Sequence, residues 1–247
     1  MSQYEKLAQI YDYLMLGIDY NEWADYVISI VNKFNSKVEN IVDLACGTGS
    51  SSLSLAKKGF KITGVDLAPQ MLEVAREKSS EEKAEIDFVK QDMRHFQLPE
   101  PTDMVVVYQD GLNYMLEEED LKKVFNRVYS QLNEGGMFVF DINSVDKIST
   151  NHGEVTCYDE DKMTLIWESF YVSDKEIWEI SLTGFLKRSD GYFEKFKETH
   201  REKYYPRRLV VNFLEEAGFK VLAVYKAFTF EEGNDWDNSL FYVAQKT

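Results

Sequence analysis

The residues from Asp43 to Ser52, DLACGTGSSS, put an acid, two closely spaced glycines and a run of hydroxyls into one short stretch. An apolar segment, NIVDLA, leads into it as a strand, and SSLSLAKKG leads out of it as a helix. Glycine lets a backbone turn tightly and come close to a ligand. A helix start offers free N–H groups to an anionic group. The next apolar run, KITGVD, ends on Asp66, where an acid accepts hydrogen bonds from ribose hydroxyls. A third run, IDFVKQD, closes on Gln91 and Asp92, where an acid can meet an adenine amino group. Together these residues read as a nucleoside-cofactor site at the carboxyl ends of parallel strands. A dinucleotide loop would carry a third glycine where Ser52 stands.

The elements that must position these groups are also visible. In the first 36 residues, Tyr4, Leu7, Tyr11 and Leu14 recur at helical spacing, as do Trp23, Val27, Ile30 and Phe34. Two helices are expected there, separated by Gly17 and Asp19. Strands and helices then alternate through APQMLEVAREKSS, IDFVKQD, MVVVYQD, EEEDLKKVFNRVYSQLNEGG and MFVFDIN. That rhythm predicts an α/β fold with a mostly parallel sheet covered on both faces. From about Glu154 the pattern becomes β-rich: VTCY, MTLIWESFYV, EIWEISLTGFLKR and YFEKFKETHREKYY are separated by turn compositions. An antiparallel meander of three or four strands is expected. PRRLVVNFLEEAG, FKVLAVYKAF and SLFYVAQKT then restore the α/β pattern. The division expected is N-terminal helices over 1–36, a core over 37–150 and 205–247, and an antiparallel β insertion over 151–204 whose ends lie close together.

Composition narrows the function. Of 247 residues, 44% are hydrophobic, enough for a full core. The net charge of −15, with no run of Lys or Arg, argues against DNA or RNA binding and against anionic membranes. Two cysteines, Cys46 and Cys157, form neither a disulfide framework nor a zinc set. MSQYEKLAQIYDYLMLGIDY lacks the basic start and apolar run of a signal peptide, and no stretch is apolar enough to span a bilayer. A cytoplasmic location is expected.

Taken in order, VDLACGTG, GVDLAPQMLEVAR, FVKQDMRHF, DMVVVYQDGLNYM and LNEGGMFVFDIN resemble a class I S-adenosylmethionine-dependent methyltransferase. The resemblance covers about Asn40 to Asn143, and the last helix and two strands fit the family's end. More narrowly, the chain resembles a poorly characterised bacterial group of small-molecule type with an aromatic N-terminal helix and a β insertion after the fifth strand. The resemblance implies a Rossmann-like seven-stranded sheet whose last strand is antiparallel. It implies S-adenosyl-L-methionine as cofactor and S-adenosylhomocysteine as product. It places Asp43 and the backbone of Ala45, Cys46, Gly47 and Gly49 against the methionine portion, and Asp66 on the ribose. Leu67 and Met71 would flank the adenine, with Asp92 and the Met93 backbone at its edge. Tyr108 and Gln109 would lie beside the transferable methyl. Tyr11 and Trp23 would close over the cofactor, although both also fit the apolar stripes of their helices.

The reaction expected is in-line displacement of a methyl by an N, O, S or C nucleophile of a small-molecule acceptor. Proximity and a dry site do most of that work, so no general base is named by the sequence. Tyr108, Tyr114 and Tyr11 are candidates to face the positive sulfonium. His152 follows the fifth strand, at the mouth of the site or as a solvated loop residue; His95 and His200 are scattered. Asp141 and Asn143 resemble a divalent-metal corner, but no second acidic ligand is identifiable and no metal is expected. An NAD-dependent dehydrogenase would need Tyr and Lys one turn apart on a helix, and Tyr158/Lys162 and Tyr171/Lys175 both fall across hairpin turns. YQDGLNY departs from the signature of enzymes that methylate exocyclic amines of nucleic-acid bases. A protein or RNA acceptor and a non-catalytic cofactor-binding scaffold stay as alternatives. Trp167, Phe170, Tyr171 and Trp178 of the insertion either roof the acceptor pocket or serve packing or a homodimer contact.

Overall fold

The computed structural model describes residues 4, 6–143, 153–172 and 174–247. A short helical turn at Leu7–Gln9 leads into α1 (Tyr11–Leu14) and α2 (Tyr20–Lys33). Then come β1 (Asn40–Leu44), α3 (Ser50–Lys57), β2 (Lys61–Asp66), α4 (Pro69–Glu81), β3 (Ile86–Lys90) and β4 (Thr102–Val107). A turn at Gly111–Tyr114, α5 (Glu118–Gln131) and β5 (Leu132–Asn143) follow. Four strands form the insertion: β6 (Val155–Glu160), β7 (Met163–Val172), β8 (Ile177–Lys187) and β9 (Phe193–Lys203). The chain closes with α6 (Arg207–Glu216), β10 (Phe219–Lys226) and β11 (Ser239–Lys246).

The main sheet has seven strands in the order β10-β11-β5-β4-β1-β2-β3, and the insertion is a separate four-stranded sheet in the order β6-β7-β8-β9. In the main sheet six strands run parallel and β11 runs antiparallel between β5 and β10. The apolar runs of β1, β4 and β5 are buried because helices cover both faces. Val27 and Ile30 of α2 and Leu55 of α3 pack on one face. Val124 and Phe125 of α5 and Phe213 and Leu214 of α6 pack on the other. The strand order reverses between β1 and β4, since β1 pairs with both β2 and β4. A crevice opens outside the carboxyl ends at such a reversal.

The first helix differs from expectation. Its apolar stripe is present, but the segment is a short turn followed by the single turn of α1. The cause is an acid from the insertion. Glu198 on β9 accepts the backbone N–H groups of Tyr4 at 2.8 Å, Lys6 at 3.1 Å and Leu7 at 3.2 Å. A carboxylate that takes three N–H groups lets the chain stop and restart. Leu7 is buried with Leu165, Trp178, Ile180 and Phe196 of the insertion, with Tyr4, Tyr11 and Leu14 against that cluster.

The insertion is bound at its root by Asn113, which is fully buried. Its amide oxygen accepts the N–H of Asn143 at 3.1 Å, where β5 ends. Its amide nitrogen donates to the carbonyl of Lys203 at 2.8 Å, where β9 ends. One side chain thus holds the exit and the return of the inserted segment together. Among the described residues no helix is long and apolar enough to cross a membrane.

Candidate active site

The glycine turn is built by β1 and locked by two acids. Gly47 and Gly49 sit at φ 54° and 75°, in the left-handed region that suits glycine. A Cβ on Gly49 would come within 2.9 Å of both Ala75 and Phe88, so α4 and β3 press against the turn there. Asp66 accepts the N–H of Gly47 at 2.9 Å and the N–H of Ala68 at 2.8 Å. It joins the glycine turn to the start of α4. Burial is the main cause raising its pKa, and these backbone hydrogen bonds oppose it. Asp43 lies behind the turn, buried, and accepts the hydroxyls of Ser51 and Ser52 at 2.6 Å each. Burial pushes Asp43 up to about 6 despite those two donors. Ser52 therefore has a task of its own, as a donor to a buried acid.

A cavity of about 650 Å³ opens above this turn. Ala45, Cys46 and Gly47 form its floor, with Asp66, Leu67 and Met71 on one wall and Asp92 and Met93 beyond them. Tyr108, Gln109 and Tyr114 form the opposite wall, and Tyr4, Tyr11 and Tyr20 cover it. The Asp92 carboxylate is clasped by Arg94, 2.6 Å at its closest, and Arg94 also reaches Asp120 at 2.8 Å. The guanidinium holds Asp92 below the usual carboxylate range. Tyr108 is buried, and its hydroxyl has no hydrogen-bond partner among the described residues. The cover is latched: Asp12 of α1 accepts the Thr48 hydroxyl at 2.6 Å and pairs with Lys78 of α4 at 2.5 Å.

Most of the residues singled out from the sequence therefore meet around one cavity. Three do not line it. Asp43 and Gly49 stand behind the floor. Trp23 packs its ring on Tyr108, centroids 5.1 Å apart, and lines a neighbouring cavity instead. His152 lies outside the described residues.

That second cavity, about 450 Å³, shares Tyr4, Tyr11, Gln109 and Tyr114 with the first. His200 and Glu202 of β9 line it and were not assigned from the sequence. A signal was present. Phe196, Glu198, His200 and Glu202 alternate along β9 and are all buried, so the polar residues share the face of an apolar one.

Comparison with known proteins agrees with this geometry. The "Methyltransferase domain" family matches residues 41–136. A putative methyltransferase of Geobacillus sp. (strain WCH70) is 33% identical over 245 residues, 98% of this chain and 99% of that protein. The chain belongs to the class I S-adenosylmethionine-dependent methyltransferases. The putative methyltransferase YqeM of Bacillus subtilis (strain 168) is 33% identical over 99% of this chain and 97% of its own length. The crystal structure of an S-adenosylmethionine-dependent methyltransferase from Clostridium acetobutylicum ATCC 824 matches with TM-score 0.86 and 27% identity, covering 99% of each chain.

The residues present fit this methyltransferase family's cofactor, S-adenosylmethionine. The first cavity has the volume of a small-molecule site. It offers an acid, an apolar slot and an unpartnered tyrosine hydroxyl. The close approach of Ala75 and Phe88 to Gly49 does not disturb a cofactor that has no pyrophosphate to seat.

Proposed function

We propose that the protein transfers a methyl group from S-adenosylmethionine to a small-molecule acceptor. The supporting observation is the pair of adjoining cavities with a common wall of Tyr4, Tyr11, Gln109 and Tyr114. The bound cofactor supplies a methyl already activated on a sulfonium sulfur. The chain's task is to hold, align and keep water out.

In this reading Asp66 takes the ribose hydroxyls and Leu67 and Met71 flank the adenine. Asp92 and the Met93 backbone meet the adenine edge, with Arg94 fixing the Asp92 side chain. The backbone of Ala45, Cys46 and Gly47 holds the methionine portion, and Asp43 acts from behind by fixing Ser51 and Ser52. The Tyr108 and Tyr114 rings face the sulfonium, and Gln109 stands beside them. Trp23 serves by packing on Tyr108.

The insertion serves as the acceptor-side wall, since Trp178, Ile180 and Leu182 line the second cavity and cover the N-terminal segment. Residues 1–36 close the site, 37–150 with 205–247 form the transferase core, and 151–204 form that wall. With a net charge of −15, neither DNA nor an anionic membrane is the proposed partner, and two cysteines in unrelated contexts suit the cytoplasm as the proposed setting. Isothermal titration with S-adenosylmethionine tests the reading. Binding that is lost in Asp66→Ala supports it; no binding by the parent protein overturns it.

A further inference from the structure

The second cavity is lined by several acids. Asp19, Glu22, Asp110, Asp141 and Glu202 contribute to its lining, and among the described residues no lysine or arginine does. Trp23, Trp167, Trp178, Phe228 and Phe241 supply aromatic surface. Carboxylates and aromatic faces both favour a cation. Some of the acids have local duties: Asp19 caps α2 by accepting the N–H of Asn21 at 2.9 Å, and Asp141 accepts the N–H of Asp110 at 3.2 Å. A different observation also points to a ligand. Trp178 is 7% exposed, lines the cavity, and its indole N–H has no hydrogen-bond partner among the described residues; being a donor, it calls for an acceptor on the ligand apart from any cationic group.

At the wall shared with the cofactor cavity stands a chain of proton-carrying groups. The Tyr4 hydroxyl donates to the Tyr114 hydroxyl at 2.5 Å. The Tyr114 hydroxyl lies 3.5 Å from His200 Nδ1. His200 Nε2 lies 3.4 Å from Glu198 Oε2, both side chains being almost wholly buried. Glu198 is itself fixed by the backbone N–H groups of Tyr4, Lys6 and Leu7. A histidine beside a buried acid, one hydroxyl away from the wall between two cavities, is placed to receive a proton.

We propose that the acceptor is a primary or secondary amine that enters the second cavity as its ammonium ion, and that His200 takes its proton, directly or through Tyr114. This rests on the methyltransferase reading above and names the substrate class of that site. Loss of the proton to His200 frees the nitrogen lone pair. The lone pair forms the N–C bond as the C–S bond breaks, and the C–S electron pair stays on sulfur. The product is the methylated ammonium ion, and the proton on His200 leaves to solvent. Glu198 is a positioning residue, since it acts through His200.

The test starts with the protein saturated with S-adenosylhomocysteine, whose binding is measured first. Fragments of equal carbon skeleton carrying an amine, an alcohol or a carboxylate are then screened by ligand-observed NMR. Amines are expected to bind about tenfold more tightly than their alcohols, with carboxylates not binding. Glu202→Gln and Glu22→Gln are expected to shrink that preference without changing S-adenosylhomocysteine affinity. The tightest amine is next incubated with S-adenosylmethionine, and its methylated form is sought by mass spectrometry. His200→Gln and Tyr114→Phe are expected to lower kcat by about 100-fold with amine Kd little changed. Glu198→Gln should show the same split of kcat from Kd, which a merely structural role would not give. Alcohols or carboxylates binding as well as amines overturns the substrate class. An unchanged kcat in both His200→Gln and Tyr114→Phe overturns the proton role. In either case intact S-adenosylhomocysteine binding leaves the methyltransferase reading standing, whereas its absence removes both.

Discussion

Ser52 donates its hydroxyl to the Asp43 carboxylate at 2.6 Å, and both side chains are closed to solvent. The position where a dinucleotide loop carries glycine is thus filled by a residue that satisfies a buried acid. Ser52→Ala should remove one of two hydroxyl donors and cost about 1–3 kcal/mol of stability, because the acid loses a partner it cannot replace with water. Ser52→Gly should cost at least as much, since it adds backbone freedom. Urea denaturation of both variants measures this.

The same acid carries a pH signature. Its folded-state pKa, about 6, lies above the ordinary aspartate value of 3.8. The folded chain therefore binds this proton more tightly than the unfolded chain. Stability from Asp43 is fully present below about pH 4 and is lost as pH rises through about 6, the loss being on the order of 3 kcal/mol. In Asp43→Asn that downward slope should be absent. Denaturation midpoints of the two proteins across this range should diverge in slope; parallel curves would sink the assignment.

Asp66 ties two turns together and faces the cavity. Asp66→Asn keeps the size but loses the charge that strengthens bonds to Gly47, Ala68 and, as proposed, the ribose. Hydrogen bonds to a charged group contribute about 1.5–3 kcal/mol, so S-adenosylmethionine should bind roughly 10- to 100-fold more weakly. Calorimetry reads this directly, with the melting temperature of the free protein as the control for folding.

The latch on α1 should affect rates more than affinity. Asp12 pairs with Lys78 across the glycine turn, and both side chains are partly open to water. A pair of this kind is worth about 0.2–1 kcal/mol. Lys78→Ala should therefore weaken cofactor binding only about two- to fivefold, with most of the change in the dissociation rate. Stopped-flow displacement of bound S-adenosylhomocysteine would show it. An unchanged dissociation rate would mean that α1 does not gate the cavity.

Much of this architecture is readable because parallel strands covered on both faces must be apolar throughout. β1, β4 and β5 stand out for that reason; the glycine turn marks where β1 ends and Asp66 marks where β2 ends. The acceptor side is hidden for an equally physical reason. Glu198, His200 and Glu202 look like solvent-facing charges in FKETHREK until β9 is placed in register. Phe196, paired across to Gly184, sets that register: a Cβ on Gly184 would fall 2.1 Å from the Phe196 ring. The broken first helix is hidden too, since the carboxylate that captures its N–H groups lies 194 residues further on from Tyr4. Trp23 fits the α2 stripe equally well as core or as cofactor lid, and only the position of Tyr108 decides that it packs on that ring.

Asn113 offers a test of how far the insertion depends on the core. It joins Asn143 at the end of β5 to Lys203 at the end of β9 and is fully buried. Asn113→Ala removes a donor and an acceptor at once and strands two backbone groups away from water. The expected cost is about 2–4 kcal/mol, since each stranded group costs about 1–3 kcal/mol with part recovered by relaxation. Asn113→Asp would keep the acceptor toward Asn143 but place a charge against the Lys203 carbonyl, so it should be no better. The loss should centre on β9, which carries His200 and Glu202. Hydrogen exchange in Asn113→Ala should therefore speed up across β8 and β9 before it does in β1 or β4. Uniform acceleration of both sheets would instead mean that the insertion and the core open as one unit.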